Sequence, residues 1–214
     1  MKFEHYLYPV ISSEFCKSRD PIFVLNEIIA GGATIVQLRE KNLSKKELNR
    51  LALKFREITK KGDVTLIIDD EVDVALSVGA DGVHLGQDDL PLNLARKIAP
   101  NLIIGISTHN ETEIREAEIN GATYINIGPI FKTNTKSVSI DPLGLEFLKN
   151  IKTSLPYSVM GGIKKDNMSD LIKIGVKNIA CITEITEADD IREKVRELLT
   201  FIKSQYRFLE GFNH

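Results

Sequence analysis

Tryptophan is missing from this chain, cysteine occurs only at Cys16 and Cys181, and aromatic residues make up 7% of the sequence. Neither cysteine belongs to a closely spaced pair of the kind that binds a metal, which argues against a zinc or disulfide framework and fits a reducing cytoplasm. No apolar run approaches the roughly 20 residues of a membrane span, and Met1-Lys2-Phe3-Glu4 does not read as a signal peptide. Charge of one sign is also missing. Twenty-eight basic against thirty acidic residues leave a formal charge of −2, so no global field favours nucleic acid, and any anion site has to be local. Walker loops, nucleophile elbows and Cys-His arrangements are absent, which leaves covalent catalysis without support.

What is present is apolar material in a regular rhythm. Hydrophobic residues form 43% of the chain, enough for a core built on Ile, Leu and Val. Short apolar runs predict strands at Leu7 to Ile11, Thr34 to Leu38, Thr65 to Ile68, Gly82 to Leu85, Leu102 to Ile106, Tyr124 to Ile127, Tyr157 to Met160 and Asn178 to Ile182. Their ends lie roughly 17 to 33 residues apart, and their apolar character is continuous, the mark of strands covered on both faces. The expectation is a single (β/α)8 TIM barrel domain over residues 1–214. A doubly wound open sheet shares the alternation, but no Gly-x-Gly-x-x-Gly follows the first strand.

Helix signals fall between the strands. Ser44 with Glu47, and Asn110 with Glu113, have capping-box spacing. Asp141-Pro142 predicts a cap followed by proline in the first helical position, and Leu90-Pro91 another helix start. Ile191, Val195, Leu198, Leu199 and Ile202 share one face of a last, outer helix.

Polar residues gather where the strands end, the place where α/β barrels carry their chemistry. Asp69-Asp70 and Asp89 follow strands three and four, and carboxylates so placed repel unless a cation lies between them; hard oxygen ligands suit Mg2+. Asp88 reads as a helix cap or solvated residue. Arg39 and Lys41 leave strand two and Lys136 leaves the loop after strand six, three cations able to offset a metal-bound polyphosphate. Gln37 and Ser107 can orient a heterocycle or a pyrophosphate oxygen, although ordinary loop hydrogen bonding serves Ser107 equally well. Gly161-Gly162, with Ile182-Thr183 one strand later, occupies the position of the barrel phosphate site, where backbone N–H groups meet an anion. His84 and His109 also fall near the mouth; neither has a carboxylate partner apparent in sequence, and both read as structural.

Taken in order, Gln37-Leu38-Arg39-Glu40-Lys41, Asp69-Asp70, the run Ala80 to Asp89, Gly105-Ile106-Ser107, Gly128-Pro129-Ile130-Phe131, Thr133-Asn134-Thr135-Lys136 and Gly161-Gly162-Ile163 resemble thiamine phosphate synthases. The resemblance spans the first strand to about Ile185. It implies a Mg2+-dependent transferase that joins a hydroxymethylpyrimidine diphosphate to a thiazole phosphate with loss of pyrophosphate. By position it implies Asp70 and Asp89 as Mg2+ ligands, and Arg39, Lys41, Asp69, Ser107 and Lys136 around the diphosphate. Of these, Lys136, Arg39, Lys41 and Ser107 would be the catalytic groups. Gln37 would hold the pyrimidine, and Thr133, Thr135, Gly162, Ile182 and Thr183 the thiazole phosphate. The partners so implied are small-molecule substrates, with no nucleic acid or membrane and with oligomeric state left open. Asp69 stands where the family usually has Asn, Thr183 where it usually has Ser, and Tyr8-Pro9-Val10-Ile11-Ser12 departs from the usual end of the first strand. The related thiazole tautomerases lack the Gly-Gln-x-Asp and Thr-x-Thr-Lys motifs retained here.

Overall fold

Eight parallel strands close on themselves in the computed structural model, which describes residues 3–133 and 141–211. They are β1 (Tyr6–Ile11), β2 (Ile35–Leu38), β3 (Thr65–Asp69), β4 (Gly82–Leu85), β5 (Ile103–Thr108), β6 (Tyr124–Ile127), β7 (Tyr157–Val159) and β8 (Asn178–Cys181). Each pairs with its neighbours in sequence, and β1 closes the ring by pairing with β8 over Tyr6↔Asn178 to Pro9↔Cys181. The helices α1 (Pro21–Ala30), α2 (Lys45–Lys61), α3 (Val72–Val78), α4 (Leu92–Ile98), α5 (Glu111–Ile119), α6 (Gly144–Asn150), α7 (Lys165–Ile174), α8 (Thr183–Thr186) and α9 (Ile191–Gly211) alternate with them. The expected barrel is therefore observed.

Two apolar clusters explain why the strands read as continuous hydrophobic runs. Val36, Leu38, Leu66 and Ile68 belong to the large cluster shared with helix residues such as Phe55, Val195 and Leu198. Phe3, Tyr8, Ile35, Ile67, Tyr124 and Ala180 form the small one inside the ring. Alternation along each strand sends successive side chains to one or the other, so both faces are apolar over most of the length. Tyr124 reaches across the barrel only because position 105 is glycine; a Cβ there would sit 2.1 Å from the Tyr124 ring.

Local signals are met in varying degree. Ser44 and Glu47 form the full reciprocal capping box of α2. Asn110 accepts from the N–H of Glu113 as expected, but the Glu113 carboxylate turns to the backbone and ring of His109, at 2.8 and 2.9 Å. His109 thus has a carboxylate partner, contrary to expectation, one helical turn away. Asp141-Pro142 does not open α6. Leu143 and Gly144 instead donate their N–H groups to the carbonyls of Pro129 and Ile130, and the helix begins at this anchor, with Leu143 as N-cap and Gly144 as its first residue. Leu90-Pro91 does lead into a helix: Pro91 is the N-cap of α4, whose first residue is Leu92. The last helix buries Ile191, Val195, Leu198, Leu199 and Ile202 as its periodicity predicts.

Candidate active site

Strand alternation builds one side of the barrel mouth. Asp69 proves to be the last residue of β3 instead of the first residue beyond it, so its side chain shares the inward row with Ile67. There it is 8% exposed, yet well surrounded. Gln37 Nε2 donates to Asp69 Oδ1 at 2.5 Å, while Lys41 Nζ and Arg39 Nε lie 3.2 and 3.6 Å from Oδ2. Asp70 then takes a left-handed φ of 61°, which turns its side chain off the strand row. Its N–H donates to the His84 carbonyl, which pins the turn to β4.

Turning away from Asp69 delivers Asp70 to Asp89. The two carboxyl groups lie within hydrogen-bonding reach, and Lys41 binds Asp70 from the other side. Asp89 is held in turn by the Gly86 N–H, 2.6 Å from its Oδ2. Burial, the Asp69 charge and the Asp89 contact together raise the Asp70 pKa to about 7, against the opposing pull of Lys41. For Lys41 burial works downward, but the Asp69 and Asp70 carboxylates outweigh it and the pKa rises. Two touching carboxylates require either a shared proton or a cation, so the donor set fits a hard divalent ion completed by substrate oxygens. Among the described residues no group of three or more His, Cys, Asp or Glu is placed to hold a metal. A cavity of about 350 Å³, lined also by Lys45, Asp73, Leu76 and Ile98, borders both carboxylates. Asp88 is exposed.

Farther round, β5 runs to Thr108 and places Ser107 inside the strand, 6% exposed, with its Oγ 3.0 Å from His84 Nε2. His84 is buried, bonded also to the Tyr124 hydroxyl at 3.0 Å. Ser107, Asn126 and Ser158 lie at one register across β5, β6 and β7. Among the described residues Asn126 Oδ1, Ser158 Oγ and Gln37 Oε1 are buried polar atoms without a hydrogen-bond partner, as is Thr108 Oγ1. The Gln37 amide is oriented by chemistry: a carboxylate only accepts, so its NH2 must face Asp69 and its oxygen remains available.

Backbone dominates the opposite side. Gly161 and Gly162 have φ of 97° and 62°, and a Cβ at Gly162 would fall 2.4 Å from the Lys132 carbonyl oxygen. Only glycine accommodates both the left-handed backbone and this approach. The turn is fastened to the loop after β6 through Phe131 N–H to the Gly161 carbonyl, and to α7 through Asn167 Nδ2 to the Gly162 carbonyl. Thr183 starts α8, and Lys164 Nζ stands 3.4 Å from both Thr183 Oγ1 and Glu184 Oε2. The structure thus groups Gly162, Ile182 and Thr183 on one side, and Gln37, Arg39, Lys41, Asp69, Asp70, Asp89 and Ser107 on the other. Thr133 is half-buried in the loop after β6, and Thr135 and Lys136 lie outside the described residues. Tyr8, Tyr124 and Lys164 were not singled out for the site from sequence. A tyrosine in an apolar strand reads as core, and the one sequence signal for Lys164 is its place directly after Gly161-Gly162-Ile163.

Residues 7–185 match the family described as thiamine monophosphate synthase. The chain belongs to that family. A thiamine-phosphate synthase of Pelotomaculum thermopropionicum is 44% identical, with 92% of this chain and 91% of that protein covered. One of Chloroflexus aurantiacus is 40% identical, with 92% of each covered. Among solved structures, thiamine phosphate pyrophosphorylase from Pyrococcus furiosus superimposes with a TM-score of 0.83 at 37% identity, covering 93% of this chain and 96% of that one. A crystal structure of 3-hexulose-6-phosphate synthase, 19% identical with a TM-score of 0.66, shares the fold. No helix among the described residues is long and apolar enough to cross a membrane.

Proposed function

We propose that this chain is a thiamine-phosphate synthase that couples a hydroxymethylpyrimidine diphosphate to a thiazole phosphate and releases pyrophosphate. The observation that carries this reading is the touching Asp70–Asp89 pair, set beside Lys41 and Arg39 at the ends of strands from one closed barrel. In this reading Asp70 and Asp89 hold Mg2+, which when bound offsets the charge of the departing diphosphate.

The remaining roles belong to the protein's own groups. Arg39 and Lys41 bind the diphosphate through its oxygens, and Asp69 holds both cations in place before substrate arrives. Gln37 Oε1, buried and without a hydrogen-bond partner among the described residues, accepts from the amino edge of the pyrimidine. Ser107 donates to the diphosphate, and Lys136 adds a cation from the loop after β6. The methylene C–O bond breaks with its electron pair leaving on the diphosphate, and the lone pair of the thiazole nitrogen closes the new C–N bond. No general acid is required, because preorganised positive charge stabilises the leaving group. Gly162, Ile182, Thr183, Thr133 and Thr135 hold the phosphate of the thiazole and so aim its nitrogen at the methylene.

The test is direct. Purified protein mixed with both substrates and Mg2+ should yield pyrophosphate and thiamine phosphate in equal amounts. Absence of both products, or conversion of a thiazole tautomer alone, would overturn the assignment.

A further inference from the structure

A line of hydrogen bonds crosses the barrel interior and ends at the mouth. Tyr8 Oη is 2.8 Å from Tyr124 Oη; Tyr124 Oη is 3.0 Å from His84 Nδ1; His84 Nε2 is 3.0 Å from Ser107 Oγ. Both tyrosines are 0% exposed, His84 is 4% and Ser107 is 6%. Burial, foremost, raises the pKa of both phenols, so each keeps its proton at neutral pH and has one hydrogen to donate.

Counting those hydrogens fixes a direction. A neutral imidazole donates from one nitrogen and accepts at the other, and each hydroxyl donates once. If Ser107 donates to His84 Nε2, then His84 Nδ1–H donates to Tyr124 and Tyr124 to Tyr8. The Tyr8 hydrogen is then stranded in the apolar core, because among the described residues Tyr124 is the hydrogen-bond partner of Tyr8 Oη. If Tyr8 and His84 both donate to Tyr124, the Tyr124 hydrogen is stranded instead. One arrangement wastes none: Tyr8 donates to Tyr124, Tyr124 to Nδ1, and Nε2–H to Ser107 Oγ. A buried unused donor is costly, so this arrangement is favoured. Among the described residues it leaves the Ser107 hydrogen unspent, at the end of the line that borders the mouth.

We infer that Tyr8, Tyr124 and His84 are positioning residues that hold Ser107 as a hydrogen-bond donor toward the diphosphate. The inference rests on the reading of Ser107 as a diphosphate contact. In the opposite polarity Ser107 would present a lone pair to an anion and repel it.

Nuclear magnetic resonance of 15N-histidine-labelled protein, with His84 assigned from the spectrum of His84→Gln, reads the tautomer without substrate. Wild type should show His84 protonated at Nε2, and Tyr124→Phe should shift it toward Nδ1–H. Calorimetry with inorganic pyrophosphate and Mg2+ should then show Tyr124→Phe and Ser107→Ala each weakening binding by roughly tenfold. The double variant should be no weaker than Ser107→Ala alone, because both changes remove one donor. Tyr8→Phe, which removes only the terminal donor, should give a mixed tautomer and a smaller loss, and serves if Tyr124→Phe does not fold. Wild type protonated at Nδ1, or additive losses in the double variant, with pyrophosphate still bound, would overturn the chain alone. Wild type that binds no pyrophosphate would overturn the diphosphate reading together with the role given to Ser107.

Discussion

The two sides of the barrel mouth are built in different ways. On the side built by β2, β3 and β4, charge is carried by side chains: Arg39 and Lys41 face Asp69, Asp70 and Asp89, and the groups are paired with one another before any ligand enters. On the side built by β7 and β8, a left-handed glycine turn presents backbone, with Thr183 and a half-exposed Lys164 beside it. The first side suits a ligand that brings a metal and departs with its charge. The second suits a ligand that must stay in place. Side-chain charge can rearrange as a reaction proceeds, whereas backbone fixed by steric necessity cannot.

Removing the metal should break the first side outright. EDTA is expected to abolish turnover, and Asp89→Asn to lower the rate on the order of 100-fold at fixed Mg2+, since one of two anionic ligands becomes a weak neutral donor. Full activity in EDTA would refute the assignment. Next in size, Lys136→Ala should lower kcat by about 10- to 1,000-fold while changing the pyrimidine diphosphate KM less, as for loss of one preorganised contact in the transition state. An unchanged kcat would remove Lys136 from the mechanism.

The backbone side is sharpened by Gly162→Ala. A methyl group there meets the Lys132 carbonyl and strains a φ of 62°, so the thiazole phosphate KM should rise about 10-fold or more with little change for the diphosphate substrate. Equal increases in both would indicate a global loss of structure.

Smaller effects separate the members of the charged side. With its pKa raised to about 7, Asp70 keeps its proton in the folded, metal-free protein over a range in which an unfolded Asp has lost it. Its contribution to stability is therefore present below about pH 4 and is lost as pH rises toward 7. Mg2+ competes with that proton. Added Mg2+ should raise Tm more at about pH 8 than at about pH 5.5, and the Mg2+ needed for half-maximal rate should increase as pH falls below about 7. Equal Tm increments at both would show that Asp70 is not a ligand. Smallest of all, Asp69→Asn removes one source of the raised Asp70 pKa and should lower the half-saturating Mg2+ concentration a few-fold. An increased requirement would make Asp69 a third ligand.

Much of this arrangement could be read from the chain, and the exceptions have physical causes. Continuous apolar strands at regular spacing specify a barrel, because an open sheet or sandwich would require different punctuation or alternation. Asp70 and Asp89 were recognisable as a pair because strand ends three and four are adjacent in that barrel. Asp69 was misplaced by one residue, and one residue in a strand changes the face: it lies in the inward row with cations around it, while the turn at Asp70 sends the next carboxylate to Asp89. The start of α6 was missed because backbone bonds from Leu143 and Gly144 to the loop after β6, not the local Asp-Pro signal, set the boundary.

Sequence alone determined the barrel, the order of the site clusters and the family, since these depend on hydrophobic period and on residues near one another in the chain. Tertiary structure decided which charges pair, which Gln37 atom is left unsatisfied, and that Tyr8, Tyr124, His84 and Ser107 form one line. Those four residues come from strands β1, β6, β4 and β5. Closing the ring brings them together, and hydrogen bonds, acting over about 3 Å, depend on that closure instead of on sequence distance.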